Sequence, residues 1–247
     1  MAAETQARKP LRIAAVGDLH CRENGATDVR TALAGVEQAA DVLLLAGDLT
    51  MTGHREEAQA LARAIGPIPM KKVLVLGNHD LDHAPAEEIA RIWRDAGLTV
   101  LVGDENTLEI DGVGIVGTKG FCGGFGAATL APFGEKAVKN FVDEAVQEAL
   151  LLEVGLRKLG PRMKKVVALH YAPIKETCHG EPLEIYPFLG SSRFAETIDR
   201  FGADVVFHGH AHHGKLEGKT PAGVPVFNVA LPVLKKATKA CYFVREV

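Results

Sequence analysis

No apolar run in the 247 residues approaches the roughly 18 that a membrane helix needs. Residues 1–10 lack the apolar segment of a secretory signal and read as a flexible tail ahead of a single domain over 11–247, so a cytoplasmic protein is expected. Cysteine is scarce. Cys21, Cys122, Cys178 and Cys241 show no paired spacing, which argues against a disulfide framework and a thiolate metal site and leaves reduced thiols as the expectation. Charge of neither sign dominates: the formal net charge is −3 and no basic run is present, so neither a non-specific nucleic-acid partner nor an anionic membrane is expected. A nuclease is not excluded, because bound divalent cations would supply positive charge locally. The glycine-rich stretch 120–126 lacks the lysine-serine end of a P-loop.

Apolar runs of strand length are present, and each ends in residues that bind metals. Asp41 is followed by Val42-Leu43-Leu44-Leu45-Ala46, then Gly47 and Asp48, the pattern of a strand buried on both faces of a parallel sheet. Leu11 to Gly17 ends in Asp18-Leu19-His20, and Val73 to Gly77 in Asn78-His79-Asp80. Val166 to Leu169 ends in His170, and Val205 to Phe207 in His208-Gly209-His210-Ala211-His212. In open α/β sheets the strand carboxyl ends share one edge, where ligands bind.

Helical periodicity separates these strands. Asn24–Ala40 carries Val29, Ala32, Leu33 and Val36 on one face, and further helices are expected over about 54–65, 85–96, 135–159 and 191–201. Alternation of this kind predicts right-handed crossovers. Short strands are expected at 98–102, 107–110 and 113–116, with Asp111-Gly112 as a hairpin turn. Segments 215–217, 224–230, 233–235 and 240–245 read as a closing β meander. The sum is a four-layer α/β/β/α sandwich.

Asp18, His20, Asp48, Asn78, His170, His210 and His212 form a mixed oxygen and nitrogen donor set without thiolate. It suits Mn, Fe, Zn, Co or Ni better than Ca or Mg. Seven donors exceed one ion's needs and fit two divalent ions, with Asp48, on the central strand, as the candidate bridge. Strand alternation would turn Asp18 with His20, and His210 with His212, to the same side. Paired ions of this kind serve in-line displacement at phosphorus, with an activated bridging water as nucleophile. His79 is then placed to protonate the leaving group, with Asp80 orienting its ring. His208 is read as packing or bonding behind the ligands, and Cys21 as a spare thiol.

Taken together, Asp18-x-His20, Gly47-Asp48, Gly77-Asn78-His79-Asp80, His170 and Gly209-His210-x-His212 resemble the calcineurin-like metallophosphoesterases, complete and in order from residue 18 to residue 212. The resemblance implies that family's αββα fold. It also implies one metal on Asp18, His20, Asp48 and His212, a second on Asp48, Asn78, His170 and His210, and His79 near the leaving group. Manganese is the expected ion in vitro. The compact size and Asp-x-His opening are similar to bacterial phosphodiesterases of cyclic nucleotides, while 117–126 and 180–193 resemble small prokaryotic members of unassigned substrate. The partner implied is a small phosphoester, without membrane association; read from their places in the chain, Asn78, His79 and His179 are the candidate contacts.

Two other classes stay open. A nuclease would need a basic groove, to which Lys119, Lys136, Lys175 and Arg193 could contribute. A protein-interaction scaffold of the same fold would have lost ligands, and none is missing. The loops 119–134 and 172–190 carry Phe121, Phe125, Tyr186 and Phe188, expected to pack in the core rather than stack a base. His54 and His83 are candidates for the rim of the site.

Overall fold

The structure, a computed structural model, describes residues 9–247; most of the expected tail, residues 1–8, lies outside the described residues. The first half alternates β1 (Arg12–Val16), α1 (Ala26–Ala32), α2 (Val36–Ala39), β2 (Val42–Ala46), α3 (Arg55–Ile65), β3 (Lys71–Val75), α4 (Ala86–Asp95) and β4 (Thr99–Val100). The strands are parallel, with Ile13 opposite Val42 and Leu44 opposite Val73. Every residue of β2 is buried, as a continuous apolar run requires. The single helix expected over Asn24–Ala40 is two helices. The chain breaks at Gly35, whose φ of +78° a side chain would resist.

The second half opens with β5 (Thr107–Ile110) and β6 (Val113–Thr118), joined at Asp111 and Gly112 with φ of +51° and +83°, the twist-matched hairpin turn. Then come α5 (Lys136–Lys158), β7 (Lys164–Leu169), α6 (Tyr186–Leu189), α7 (Ser192–Phe201) and β8 (Val205–His208). The chain closes with β9 (Glu217–Lys219), β10 (Pro225–Asn228), α8 (Leu231–Ala237) and β11 (Phe243–Glu246). The sheet orders are β11-β1-β2-β3-β4 and β5-β6-β7-β8-β10-β9.

The two sheets face each other across the main core. On β7, Val166 and Ala168 point into it beside Leu43, Leu74 and Phe207, whereas Val167 and Leu169 pack outward against Leu152, Leu156, Phe194 and Ile198 of α5 and α7. That period of two puts helices outside both sheets, the expected four layers. Trp93 is fully buried between α4 and α3 and donates its indole N–H to Ala58 O at 3.1 Å. Its truncation to alanine would cost about 3–5 kcal/mol.

The expected C-terminal meander is only partly formed. Residues 233–235 are helical within α8, because Pro232 occupies the first turn, where it has no partner to lose. Strand β11 leaves the second sheet and pairs antiparallel with β1, Arg12 opposite Glu246. The loops 119–134 and 172–190 dock on each other, with Gly123 N donating to Pro187 O at 2.7 Å and Gly124 N to Gly190 O at 2.9 Å.

Candidate metal centre

The carboxyl ends of β1, β2, β3, β7 and β8 meet where the two sheets adjoin, and each candidate ligand follows one of them. The alternation expected to aim Asp18 with His20 and His210 with His212 is not what aims them. The strands stop at Val16 and His208, and Asp18, His20, Asp48 and His210 adopt φ of +56°, +45°, +50° and +71°. Left-handed backbone is uncommon for residues with a Cβ, so packing must hold these positions. Glycines leave the room. A Cβ on Gly47 would stand 2.6 Å from His170 Nδ1, one on Gly77 would overlap Asp48 Oδ1, and one on Gly209 would overlap Asp18 Oδ2.

Donor atoms gather in three groups, each within 4.8 Å: Asp18 with His20 and His212, His20 with Asp48 and His79, and Asp48 with His170 and His210. Asp18 Oδ1 lies 2.9 Å from His212 Nε2, which lies 3.5 Å from His20 Nε2. His170 Nε2 lies 2.9 Å from Asn78 Oδ1 and 3.3 Å from Asp48 Oδ1. Asp48 Oδ2 and His20 Nδ1 are buried with no hydrogen-bond partner among the described residues. A buried carboxylate oxygen left unpaired is costly unless a cation meets it.

Backbone carbonyls set the imidazole tautomers. His170 Nδ1 faces Ala46 O at 2.9 Å and therefore carries the hydrogen. Its Nε2 then points a lone pair at two oxygens, an arrangement that requires a proton or a cation in between. Burial opposes that proton, but the Asp48 charge and hydrogen bond outweigh it and lift the His170 pKa to about 9. Burial pushes the Asp48 carboxyl up, yet His170 and the His79 N–H hold it below the ordinary carboxylate range. His210 Nε2 donates to Phe188 O at 3.1 Å, leaving Nδ1 free, and burial drops its pKa to about 4. It is neutral at pH 7, the form that ligates. Burial likewise lowers His20. The donor set fits divalent cations.

His79 stands at the rim with 37 % of its side chain exposed, Nε2 3.9 Å from Asp48 Oδ2 and its ring 4.8 Å from that of His20. Asp80 does not orient it. The His79 Nδ1–H is held by Met51 O at 2.8 Å, with Asp82 Oδ2 at 3.4 Å. Asp80 is fully buried and accepts from Leu49 N at 3.0 Å, Thr50 N at 2.8 Å, Thr50 Oγ1 at 2.7 Å and Gly77 N at 2.9 Å. It ties the loop after β2 to the loop after β3. Burial and the Asp48 charge push its pKa up to about 6.

Other expectations divide. His208 bonds Thr177 Oγ1 and Gly209 O, both at 2.8 Å, behind the ligands. His179 is exposed and outside the three groups. His54 and His83 stack on each other at 4.0 Å, both exposed. Cys21 is buried outside the groups, and burial pushes its thiol up to about 11. Phe121 packs on Phe141 and Tyr171, and Phe125 on Tyr186, but the Phe188 side chain is exposed, contrary to the expected core position. Residue typing gave no sign of Met51, Phe188 or Ala46, since each acts through a main-chain carbonyl.

The sequence profile of the calcineurin-like phosphoesterases matches residues 11–214. The chain belongs to this family. Calcineurin-like phosphoesterases hydrolyse phosphoesters with the help of metal ions, and the Asp/His groups here could hold such an ion. Among solved structures the chain is similar to phosphopantetheinyl hydrolase (PptH) from Mycobacterium tuberculosis, with a TM-score of 0.68 and 16 % identity over 96 % of each chain. It is similar to TT1561 of Thermus thermophilus, at 0.58 and 16 % over 89 % of each chain. It also resembles GAP50, the anchor in the inner membrane complex of Plasmodium, at 0.52 and 11 % over 91 % of this chain and 73 % of that one. Such identities speak to fold alone. A comparison with curated proteins finds no match.

Proposed function

We propose that this calcineurin-like phosphoesterase is a binuclear hydrolase of small phosphodiesters or phosphomonoesters, nucleotides and cyclic nucleotides among them, working in the cytoplasm. Asp18, His20, Asp48 and His212 hold one divalent ion, and Asp48, Asn78, His170 and His210 the other. The observation that carries this reading is the position of Asp48, which belongs to two donor groups and keeps a buried oxygen with no hydrogen-bond partner among the described residues. Bound divalent ions, manganese in vitro, would polarise the phosphoryl oxygens and make an attacking water acidic enough for neutral pH.

The chain's own groups do the rest. Ala46 O and Phe188 O fix the tautomers of His170 and His210, so each ring offers one nitrogen in a set direction. Met51 O holds His79 with Nε2 toward the group, where it can donate a proton to the departing oxygen. Asn78 and His79 contact the substrate. His179, exposed and outside the metal-donor groups, is the third proposed contact.

The likeness to PptH makes a phosphopantetheine-bearing diester one substrate to test. Of the four cations a nuclease groove would use, Lys119 is engaged by Glu144 and Glu148 and Arg193 by Leu130 O, which leaves Lys136 and Lys175 for that reading. The decisive assay is hydrolysis of bis-p-nitrophenyl phosphate and p-nitrophenyl phosphate by protein loaded with Mn²⁺, with a chelator control. Chelator-sensitive turnover is expected; none with Mn, Fe, Zn, Co or Ni would overturn the proposal in favour of a scaffold.

A further inference from the structure

A cavity of about 230 Å³ opens beside His20, away from the other ligands, and its walls include Arg22, Asn24, Asp28, Leu231 and Lys235. Arg22 is on the loop that follows His20. That loop is pinned: Cys21 N donates to Leu49 O at 2.9 Å, Met51 N to Cys21 O at 3.1 Å, and Gly25 N to Arg22 O at 2.8 Å. Lys235 comes from α8, whose start is tied to the end of β1 by Leu231 N donating to Gly17 O at 3.0 Å, with Val233 and Leu234 buried beneath. Two elements anchored at the strand end that carries Asp18 and His20 thus bring an arginine and a lysine, both exposed, to the lining of one cavity.

Neither cation is engaged. Among the described residues, the side chains of Arg22 and Lys235 have no hydrogen-bond or ion-pair partner, unlike Arg12, which pairs with Asp41, and Arg94, which pairs with Glu87. Asp28 is the acidic group on the same walls, so two cations face one anion and the cavity is net positive. An arginine and a lysine lining one recess, with a planar guanidinium fork and an ammonium to offer, suit phosphate oxygens. The recess is also too small for a polymer, but it admits a phosphate with part of the scaffold that bears it.

We infer that this cavity receives a second phosphate of the substrate, one that is not cleaved, and that the natural substrate class is therefore phosphoesters carrying a further phosphate. The inference rests on the hydrolase reading for the position of the scissile group. Arg22 and Lys235 act as specificity residues: they recognise the distal group and touch none of the reacting atoms. Asp28, on the same walls, offsets one of the two positive charges.

The test compares adenosine 3′,5′-bisphosphate with adenosine 5′-monophosphate as competitors of bis-p-nitrophenyl phosphate hydrolysis by the Mn-loaded protein. The bisphosphate should bind about tenfold more tightly than the monophosphate, the scale of two partly exposed charge contacts. The double variant Arg22→Gln/Lys235→Gln should lose that difference and keep its rate on bis-p-nitrophenyl phosphate within about twofold, and Asp28→Asn should widen the difference. A preference that persists in the double variant, or none in the wild type, overturns the inference. Calorimetric titration with the two nucleotides gives the same comparison without turnover. If no metal supports hydrolysis, the catalytic reading falls, while the titration still decides whether the cavity binds the second phosphate.

Discussion

Gly77→Ala would test whether the centre is built by close approach of backbone. Gly77 has no left-handed φ, so alanine adds only volume, and its Cβ would lie 2.9 Å from Asp48 Cα while overlapping Asp48 N and Oδ1. Carbon atoms rest about 3.5–4.0 Å apart, so Asp48 must retreat by roughly 1 Å. Overpacking of this kind costs about 1–3 kcal/mol, a fall in Tm of roughly 5 °C for a chain of this size. Activity should suffer more than stability, because a displacement near 1 Å at a reacting centre costs on the order of a hundredfold. Both donor groups that contain Asp48 move together, so elemental analysis should find both ions weakened. Gly160→Ala is the control: its Cβ would meet nothing within 4 Å, and the change should be neutral or slightly stabilising. A Gly77→Ala protein with wild-type metal content and wild-type hydrolysis of bis-p-nitrophenyl phosphate would refute the reasoning.

Asp48→Asn should reduce bound metal in both positions and lower activity at least a thousandfold, by about 4 kcal/mol or more in the barrier; retention of two ions per chain would contradict bridging. His79→Gln should keep its metals but slow esters of poor leaving groups more than p-nitrophenyl esters, and equal slowing would remove the acid role. The fully buried His208, whose pKa is driven down to about 4 chiefly by burial, should make the fold acid-sensitive. The unfolded chain, with an ordinary histidine pKa near 6.5, binds the proton first, so stability is intact above that value and is lost as pH falls towards 4. Between pH 7 and pH 5 the loss from this group is about 2 kcal/mol, and urea unfolding of His208→Gln should show a correspondingly shallower decline.

Buried parallel strands were legible because they are continuous apolar runs, all but that of β7 closed by glycine, and each handed its donors to the same edge. Less was legible where a run was short. Val233 to Lys235 is too brief for its period to separate helix from strand, and the proline of the first turn decided for α8. That helix supplies Lys235, so the positive cavity beside His20 was invisible in the residue pattern. The partner of His79 was misread for a geometric reason. His79–Leu81 is a 3₁₀ turn, in which residues three apart are eclipsed, so Asp82 rather than Asp80 falls beside the ring.

The order of residues by itself determined the donor chemistry, oxygen and imidazole without thiolate, and the edge of the sheet to which it goes. Only the tertiary structure decided which donors lie within reach of one another. Asp18 meets His212 across 194 positions and His170 meets Asn78 across 92, contacts that exist only when the two sheets pack face to face. Tautomers, too, waited on the fold, because main-chain carbonyls that set them carry no mark in the side-chain sequence.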